Sequence, residues 1–213
     1  EESRRSFIKK ATLGTAGVAI GSSLFGMSAK SYGNIMGAND KVRVGVIGYS
    51  DRFRGSLLPC FMDHAKNQNF EMVALSDIWS RRREEGSAQI KKRTGWDLAL
   101  CRNNEELYDR KDIDAVIIST ADFQHALHCK EAVEAGRDAY VEKPFAESMA
   151  DARAARKAVE TTGKIIQIGS QRRSTPNYIA ANEYIKSGKF GKIVIVEMTW
   201  NVNQPGRWRR PNV

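Results

Sequence analysis

Short runs rich in Val and Ile alternate with longer polar or amphipathic segments between residues 42 and 168. The most apolar run, at 114–119, has the composition of a strand that is buried on both faces. Strands are predicted at 42–47, 70–76, 98–100, 114–119, 138–141 and 164–168, and helices at 55–67, 80–94, 104–108, 123–135 and 148–161. This alternation predicts an α/β fold with a doubly wound parallel sheet.

The positive charge of the chain lies outside this region. The sequence has 213 residues and a net charge of +9, yet residues 42–171 carry 20 basic and 20 acidic side chains. The excess lies in the two flanks, so no nucleic-acid-binding face is predicted. The composition, 41% hydrophobic and 28% charged, is that of a soluble globular protein. Three cysteines without a C-x-x-C pair argue against a disulfide framework or a zinc site.

The first residues have the pattern of an export signal. A twin arginine in S-R-R-S-F-I-K, at 3–9, precedes a moderately apolar stretch rich in Gly and Ala. We expect residues 1–38 to be a signal peptide and linker recognised by the twin-arginine export machinery. The protein is then expected in the periplasm or cell envelope, with its cofactor bound before export. The alternative is a basic or amphipathic tail.

The turn after the first predicted strand reads G-Y-S-D-R-F-R-G at 48–55. Ligands of open parallel sheets bind at the carboxyl ends of the strands, and the dinucleotide fingerprint G-x-G-x-x-G would place glycines at 48, 50 and 53. Gly48 is present, whereas Ser50 and Phe53 replace the other two glycines. We therefore expect a wider turn that uses Gly55. A turn of purely structural role is the alternative.

Asp77 ends the second predicted strand. An acidic residue at this place accepts hydrogen bonds from the adenosine ribose of a dinucleotide and repels a 2′-phosphate, which favours NAD over NADP. The arginines at 81–83 soften that preference unless they form a solvated helix face. As an alternative role, Asp77 caps the following helix.

The sequence Y-V-E-K-P-F at 140–145 resembles the E-K-P signature of the glucose–fructose oxidoreductase, inositol dehydrogenase and rhizopine-catabolism family (Gfo/Idh/MocA). The likeness covers about residues 41–200 and includes I-D-A-V-I-I-S-T at 113–120 and I-G-S-Q-R-R at 168–173. The chain departs from the family at the glycine-rich turn and at 121–122, where many members have a Pro. The resemblance implies an NAD(P)-dependent oxidoreductase that acts on a sugar or polyol.

The resemblance also implies roles for single residues. Lys143 would lie beside the nicotinamide and hydrogen-bond the reacting carbinol oxygen, while Glu142 would orient Lys143 or contact the nicotinamide ribose. The predicted cofactor-binding residues are Gly48, Tyr49, Ser50, Arg52, Phe53, Asp77, Ser119, Thr120, His125, Glu142 and Gln171, and the predicted substrate-binding residues are Lys143, Arg173 and Trp208. His125 is expected near the active cleft and His128 to be structural. No metal site is predicted, because these two histidines share a helix face without a third ligand.

Three segments are expected along the chain. After the signal, residues 39–171 form the NAD(P)-binding Rossmann domain, and residues 172–213 begin a C-terminal domain for substrate binding and oligomerisation. The resemblance implies an α+β domain with an open antiparallel sheet, whose first strand is predicted at 192–200. The family's catalytic His, in a D-x-x-x-H motif, does not occur here. We expect this N-terminal portion to be inactive alone and the full-length protein to be a homo-oligomer.

Two other functions remain open. An NAD-dependent glycoside hydrolase on the same fold oxidises a sugar carbon, eliminates the aglycone and reduces the sugar again, so that the cofactor is regenerated in each cycle. A non-catalytic sugar-binding module is the other alternative. Net formation of NADH, release of an aglycone without net NADH, and binding alone distinguish the three functions.

Overall fold

The computed structural model describes residues 41–199, and its core is a six-stranded parallel sheet. The strands are β1 (Val42–Ile47), β2 (Phe70–Ser76), β3 (Ala99–Cys101), β4 (Ala115–Ile118), β5 (Asp138–Val141) and β6 (Ile166–Ile168). They lie in the order β3-β2-β1-β4-β5-β6, and every neighbouring pair is parallel. The predicted doubly wound Rossmann sheet is therefore confirmed.

The connections between the strands are helical. The helices are α1 (Leu58–Gln68), α2 (Ser80–Thr94), α3 (Asn104–Tyr108), α4 (His125–Glu134), α5 (Met149–Thr162) and α6 (Pro176–Lys186). A π-helical turn (Phe53–Leu57) precedes α1, and a 3₁₀ turn (Asp122–Gln124) precedes α4. The predictions for α2 and α3 agree with the structure at every residue, whereas α6 was not predicted.

Two apolar layers cover the sheet, because successive strand side chains point to opposite faces. One layer joins Ile47, Ile118 and Val141 to Leu107 and Cys129 of α3 and α4. The other layer joins Val46, Leu75 and Ile117 to Phe53, Leu58 and Ile90 from the π-helical turn, α1 and α2. Burial on both faces explains why the central strands are almost continuously apolar in sequence.

The strand order reverses between β1 and β4. These strands are adjacent, and their last residues, Ile47 and Ile118, are in register. From here the chain leaves β1 towards β2 on one side and β4 towards β5 on the other, so a crevice opens beyond the carboxyl ends. This is the place in the fold where a ligand is expected.

A second compact unit follows the sheet, with the division between Glu1–Ile168 and Gly169–Val213. Its described part contains the 3₁₀ turn Gln171–Ser174 and α6. The strand predicted at 192–200 is not formed in the described residues, where 192–199 have no regular secondary structure. An isolated strand has no neighbour to accept its backbone hydrogen bonds.

The signal peptide predicted at 1–38 lies outside the described residues. Within residues 41–199, no helix has the length and apolar character needed to cross a membrane.

Candidate cofactor-binding site

A cleft of about 610 Å³ opens at the carboxyl ends of β1, β2 and β4. Its walls are the turn after β1, the end of β2 and the loop after β4. The predicted cofactor-binding residues that line it are Gly48, Tyr49, Ser50, Asp77, Ser119 and Thr120. The strand order thus brings residues from distant parts of the sequence to a single crevice.

Gly48 is the residue at which the chain leaves β1 for the cleft. Its φ is +89°, in the region that favours glycine, and its N–H donates to the carbonyl oxygen of Ser76 at 2.8 Å. A Cβ at this position would lie 2.8 Å from Thr120 Cγ2 and 2.9 Å from the carbonyl oxygen of Ser119. Any side chain here would therefore push the turn away from the end of β4.

Ser50 occupies the second glycine position of the fingerprint. Its Oγ lies 2.6 Å from Ser119 Oγ and accepts the Phe53 backbone N–H at 3.1 Å. The hydroxyl thereby ties the turn to the end of β4 and satisfies an amide at the start of the helical segment. A small polar side chain replaces the missing glycine without opening the turn.

Phe53 occupies the third glycine position and is completely buried. Its ring packs on that of Tyr49, with 5.7 Å between the centroids. The π-helical turn begins at this residue, and its wider i→i+5 spacing lets both Phe53 and Leu58 reach the core. A Cβ at Gly55 would meet open space, so the widening comes from the π-helical turn and not from a tight approach at Gly55.

Asp77 lies at the end of β2 with both carboxylate oxygens held by backbone donors. Oδ2 accepts the N–H of Tyr49 and Oδ1 the N–H of Trp79, each at 2.9 Å. These bonds fix the carboxylate in the wall of the cleft and leave lone pairs for further donors. Tyr49 contributes only its backbone at this point, because its side chain is buried and donates to Gln89 at 2.8 Å.

The arginines of α2 are engaged with the protein. Arg82 donates to Asp51 at 3.3 Å and lies over the ring of Trp79, 5.7 Å from its centroid. Arg83 donates to the backbone carbonyl of Asp77. Arg82 lines the cleft, and its charge there is already paired with a carboxylate.

The E-K-P loop follows β5, the neighbour of β4. Glu142 is 2% exposed, and its carboxylate accepts from Arg52 at 3.0 Å, from the Tyr140 hydroxyl at 3.4 Å and from the Lys143 N–H at 3.1 Å. Burial first, and then the Glu142 carboxylate, raise the pKa of Tyr140, so its hydroxyl keeps the proton that it donates. The Lys143–Pro144 peptide is cis. Lys143 is exposed at this strand end.

Thr120, in the loop after β4, has contacts with two buried histidines. His125 is 1% exposed, with Nδ1 2.7 Å from the Pro144 carbonyl oxygen and Nε2 3.2 Å from that of Thr120. His128 Nδ1 lies 3.1 Å from Thr120 Oγ1. His125 therefore links the E-K-P loop to the loop after β4, and both of its ring nitrogens are used within the protein.

Over residues 42–170 the chain matches the oxidoreductase family with an NAD-binding Rossmann fold that is known as GFO_IDH_MocA. The chain belongs to the Gfo/Idh/MocA family. The resemblance inferred from the E-K-P sequence is confirmed, and residues 42–170 match the NAD-binding Rossmann fold of this oxidoreductase family.

Characterised proteins with similar sequences include inositol dehydrogenases. The scyllo-inositol 2-dehydrogenase (NAD(+)) of Bacillus subtilis is 39% identical over 87 residues, 41% of this chain and 25% of that protein. The inositol 2-dehydrogenase of Rubrobacter xylanophilus is 29% identical over 182 residues, 80% of this chain and 47% of that protein. The chain thus spans less than half the length of these two relatives.

Solved structures of Gfo/Idh/MocA proteins have the same fold. The WlbA dehydrogenase of Chromobacterium violaceum, in complex with NADH and UDP-GlcNAcA, superposes with a TM-score of 0.63 at 22% identity, covering 71% of this chain and 41% of that one. The myo-inositol 2-dehydrogenase of Lactobacillus plantarum superposes with a TM-score of 0.59 at 25% identity, covering 72% and 43%.

The cleft residues fit the NAD cofactor of the Gfo/Idh/MocA family. Gly48 lets the turn lie directly against the end of β4, and Ser50 adds only a hydroxyl. Asp77 presents a carboxylate at the end of β2, where the ribose of a dinucleotide is bound in Rossmann folds. These three residues would hold the cofactor. The departures from the glycine fingerprint therefore leave its geometry largely intact.

Other predicted site residues lie elsewhere. Gln171 and Arg173 are exposed residues of the second unit, and Trp208 lies outside the described residues. Arg52, Phe53, His125 and Glu142 do not line the cleft but support the elements that form it. Among residues 41–199, no three His, Cys, Asp or Glu side chains are grouped as metal ligands.

Sequence reasoning missed several residues of the cleft wall, among them His128 and Trp79. His128, which was expected to be structural, is buried and also lines the cleft, where burial and then the neighbouring His125 lower its pKa. Trp79 also lines the cleft, and its N–H donates to Asp77 Oδ1. The i, i+3 spacing of the histidines places both on one helix face but does not indicate which of them faces the crevice.

Proposed function

We propose that the protein is an NAD-dependent dehydrogenase that oxidises a carbinol of a sugar or polyol, with Lys143 at the reacting oxygen. The observation that carries this proposal is the contrast between two consecutive residues. Glu142 is buried and holds three donors, whereas the Lys143 side chain is exposed and has no ion-pair partner within the described residues. Lys143 thus combines a fixed backbone with an unpaired amine, as is expected of a residue that contacts the substrate.

Bound NAD⁺ supplies the acceptor for the hydride that leaves the carbinol carbon. The neutral amine of Lys143 would hydrogen-bond the hydroxyl oxygen and take up its proton as the carbonyl forms, and in the reverse direction the ammonium would return that proton. Asp77 would accept hydrogen bonds from the ribose hydroxyls, and the turn at Gly48 and Ser50 would lie beside the pyrophosphate.

The proposal includes a preference for NAD over NADP. Asp77 is anchored by two backbone amides, so its negative charge stays at the ribose site. Arg82 is paired with Asp51, and Arg83 with a backbone carbonyl. The cations that would otherwise attract a 2′-phosphate are therefore engaged, and NAD⁺ should bind more tightly than NADP⁺ in a fluorescence titration.

The relatives support a sugar or polyol as substrate. Two of them are named as inositol dehydrogenases, and the WlbA structure contains a sugar nucleotide. The test uses the whole protein with NAD⁺ and a panel of myo-inositol, scyllo-inositol and a UDP-linked sugar acid, and it follows the absorbance of NADH. Release of an aglycone without net NADH would instead favour the hydrolase.

Replacing Lys143 tests its role directly. Lys143→Ala should lower kcat by about a hundredfold or more and leave the NAD⁺ dissociation constant unchanged, because the proposed contact of Lys143 is with the reacting oxygen of the substrate. Lys157→Ala, at an exposed lysine of α5, is the matched control and should keep full activity. Equal turnover of the two variants would show that Lys143 has no catalytic role.

Export through the twin-arginine pathway and assembly into a homo-oligomer are further parts of the proposal. Export is supported by the S-R-R-S-F-I-K sequence alone. A reporter fused behind residues 1–40 should reach the periplasm, and replacement of Arg4 and Arg5 by Lys should keep it in the cytoplasm. Light scattering of the full-length protein tests the assembly.

A further inference from the structure

Arg52 and Glu142 form an ion pair that crosses the carboxyl edge of the sheet. Arg52 lies in the turn after β1 and Glu142 directly follows β5, while β4 lies between those two strands. Arg52 Nε is 3.0 Å from Glu142 Oε1, although the residues are 90 positions apart in sequence. The pair therefore connects the cofactor turn to the E-K-P loop.

The environment of Glu142 makes this pairing necessary. The Glu142 side chain is 2% exposed and that of Arg52 is 33% exposed. A buried carboxylate has lost its hydration, and it needs a cation and hydrogen bonds in compensation. Within residues 41–199, Arg52 is the cation that is paired with Glu142.

The two oxygens of Glu142 have different partners. Oε1 accepts from Arg52 and from the Tyr140 hydroxyl, whereas Oε2 accepts the backbone N–H of Lys143. A carboxylate is planar, so donors that fix Oε1 also fix the direction of Oε2. The position of Arg52 is thereby transmitted to the backbone from which the Lys143 side chain extends.

Other cations near the turn have a different partner. Arg54 and Arg82 both pair with Asp51, at 3.0 and 3.3 Å. Arg52 is not among the residues that line the cleft, and its guanidinium is paired with Glu142 of the E-K-P loop. The cofactor-binding role predicted for Arg52 from the sequence is the alternative to a role in holding Glu142.

We propose that Arg52 is a positioning residue, which holds the Glu142 carboxylate and through it the backbone of Lys143. The inference rests on the proposed function, in which Lys143 contacts the reacting oxygen. Misplacing a catalytic group by about 1 Å can cost up to a hundredfold in rate. Loss of Arg52 should therefore lower kcat and leave the binding of NAD⁺ nearly unchanged.

The kinetic test compares Arg52→Met, Arg52→Lys and the control Arg54→Met in the full-length protein. Arg52→Met should lower kcat between about tenfold and a hundredfold, with the NAD⁺ dissociation constant changed less than about twofold. Arg52→Lys, which keeps the charge but presents a single donor group, should recover part of that loss. Arg54→Met should have the same kcat as the unaltered protein. A raised dissociation constant at unchanged kcat would show that Arg52 binds cofactor, and would overturn the proposal.

A double-mutant cycle adds a second criterion. If Arg52 acts through Glu142, Arg52→Met combined with Glu142→Gln should have a kcat no lower than that of the more impaired single variant. If the fold-decrease of kcat in the double variant equals the product of the two single fold-decreases, the residues act independently, which would contradict the proposal.

Hydrogen exchange gives a readout that does not need turnover. Arg52→Met should speed amide exchange in peptides spanning residues 141–146, and Arg54→Met should not. Equal exchange in both variants overturns the positioning role. The unaltered protein could reduce no NAD⁺ with any compound of the panel while Arg52→Met still exchanges faster than Arg54→Met at residues 141–146. That result would contradict the proposed function but would support the coupling of Arg52 to the E-K-P loop.

Discussion

The turn after β1 and the E-K-P loop after β5 lie at the same edge of the sheet but are stabilised by different interactions. The turn lacks two of three fingerprint glycines, and the Ser50 hydroxyl and a π-helical turn take their place. The E-K-P loop keeps its motif and is fixed by a buried carboxylate. Changes at Gly48 or Ser50 should therefore appear first in NAD⁺ binding, whereas changes in the loop, or at Arg52 of the turn, which is paired with Glu142, should appear first in kcat.

Thr120 lies between these two regions. Its Cγ2 limits the space at Gly48, its carbonyl oxygen is 3.2 Å from His125 Nε2 and its hydroxyl is 3.1 Å from His128 Nδ1. Because His125 also contacts the Pro144 carbonyl, the loop after β4 is joined to both sides. The different roles of the turn and the E-K-P loop can thus be tested by substitutions in the turn and by substitution of His128, which contacts Thr120.

The largest effect at the turn is expected from Gly48→Ala. The new Cβ would collide with Thr120 and Ser119 in a backbone conformation with φ +89°, which should lower the free energy of unfolding by about 1–3 kcal/mol. The NAD⁺ dissociation constant should rise at least about tenfold as the turn moves.

Gly55→Ala is the matched control for this change. Open space surrounds that position, so the substitution should be neutral or stabilise the protein by up to about 1 kcal/mol. Denaturant unfolding and a fluorescence titration measure both quantities. Similar NAD⁺ binding by the two variants would contradict the role assigned to Gly48.

A smaller effect is expected from Ser50→Ala. Loss of the hydroxyl leaves the Phe53 N–H and Ser119 without their partner, at a cost of about 1 kcal/mol in the free energy of unfolding. Ser50→Gly restores the fingerprint glycine and should cost only about a few tenths of a kcal/mol. Thermal unfolding of the two variants side by side checks this order. If Ser50→Ala were more stable than Ser50→Gly, the hydroxyl would not stabilise the turn.

The smallest effect concerns His128 and pH. Burial lowers the pKa of His128 below its ordinary value of 6.5, so the unfolded chain takes up this proton at a higher pH than the folded protein. The free energy of unfolding should therefore fall as pH decreases through 6.5, and His128→Gln should flatten that dependence. Melting temperatures across a pH series measure the slope. The control is His64→Gln, at an exposed side chain of α1, which should leave the slope of melting temperature against pH unchanged. An unchanged slope in His128→Gln would contradict the prediction.

Local composition was sufficient to predict the sheet and part of the site. The apolar run at 114–119 predicts β4, and the place of Asp77 after an apolar run predicts a carboxylate at the crevice. Both inferences depend on short stretches of sequence and on the general rule that parallel strands present their carboxyl ends together.

Pairings through space could not be predicted in this way. The Ser50–Ser119 hydrogen bond and the Arg52–Glu142 ion pair form only because β1 and β5 both flank β4. The spacing of these residues in sequence carries no sign of the contact. The strand predicted at 192–200 had the right composition, but a strand also requires a neighbour.

Tyr49 connects the Asp77 carboxylate to the placement of α2. Its backbone N–H holds Asp77, while its ring lies so close to α2 that a Cβ at Gly86 would come within 2.9 Å of it. Shifting α2 outward would therefore move the ring and, with it, the Asp77 carboxylate to which the proposed function assigns the ribose. A redesign towards a phosphorylated cofactor has to leave this helix in place and release Arg82 from Asp51 instead.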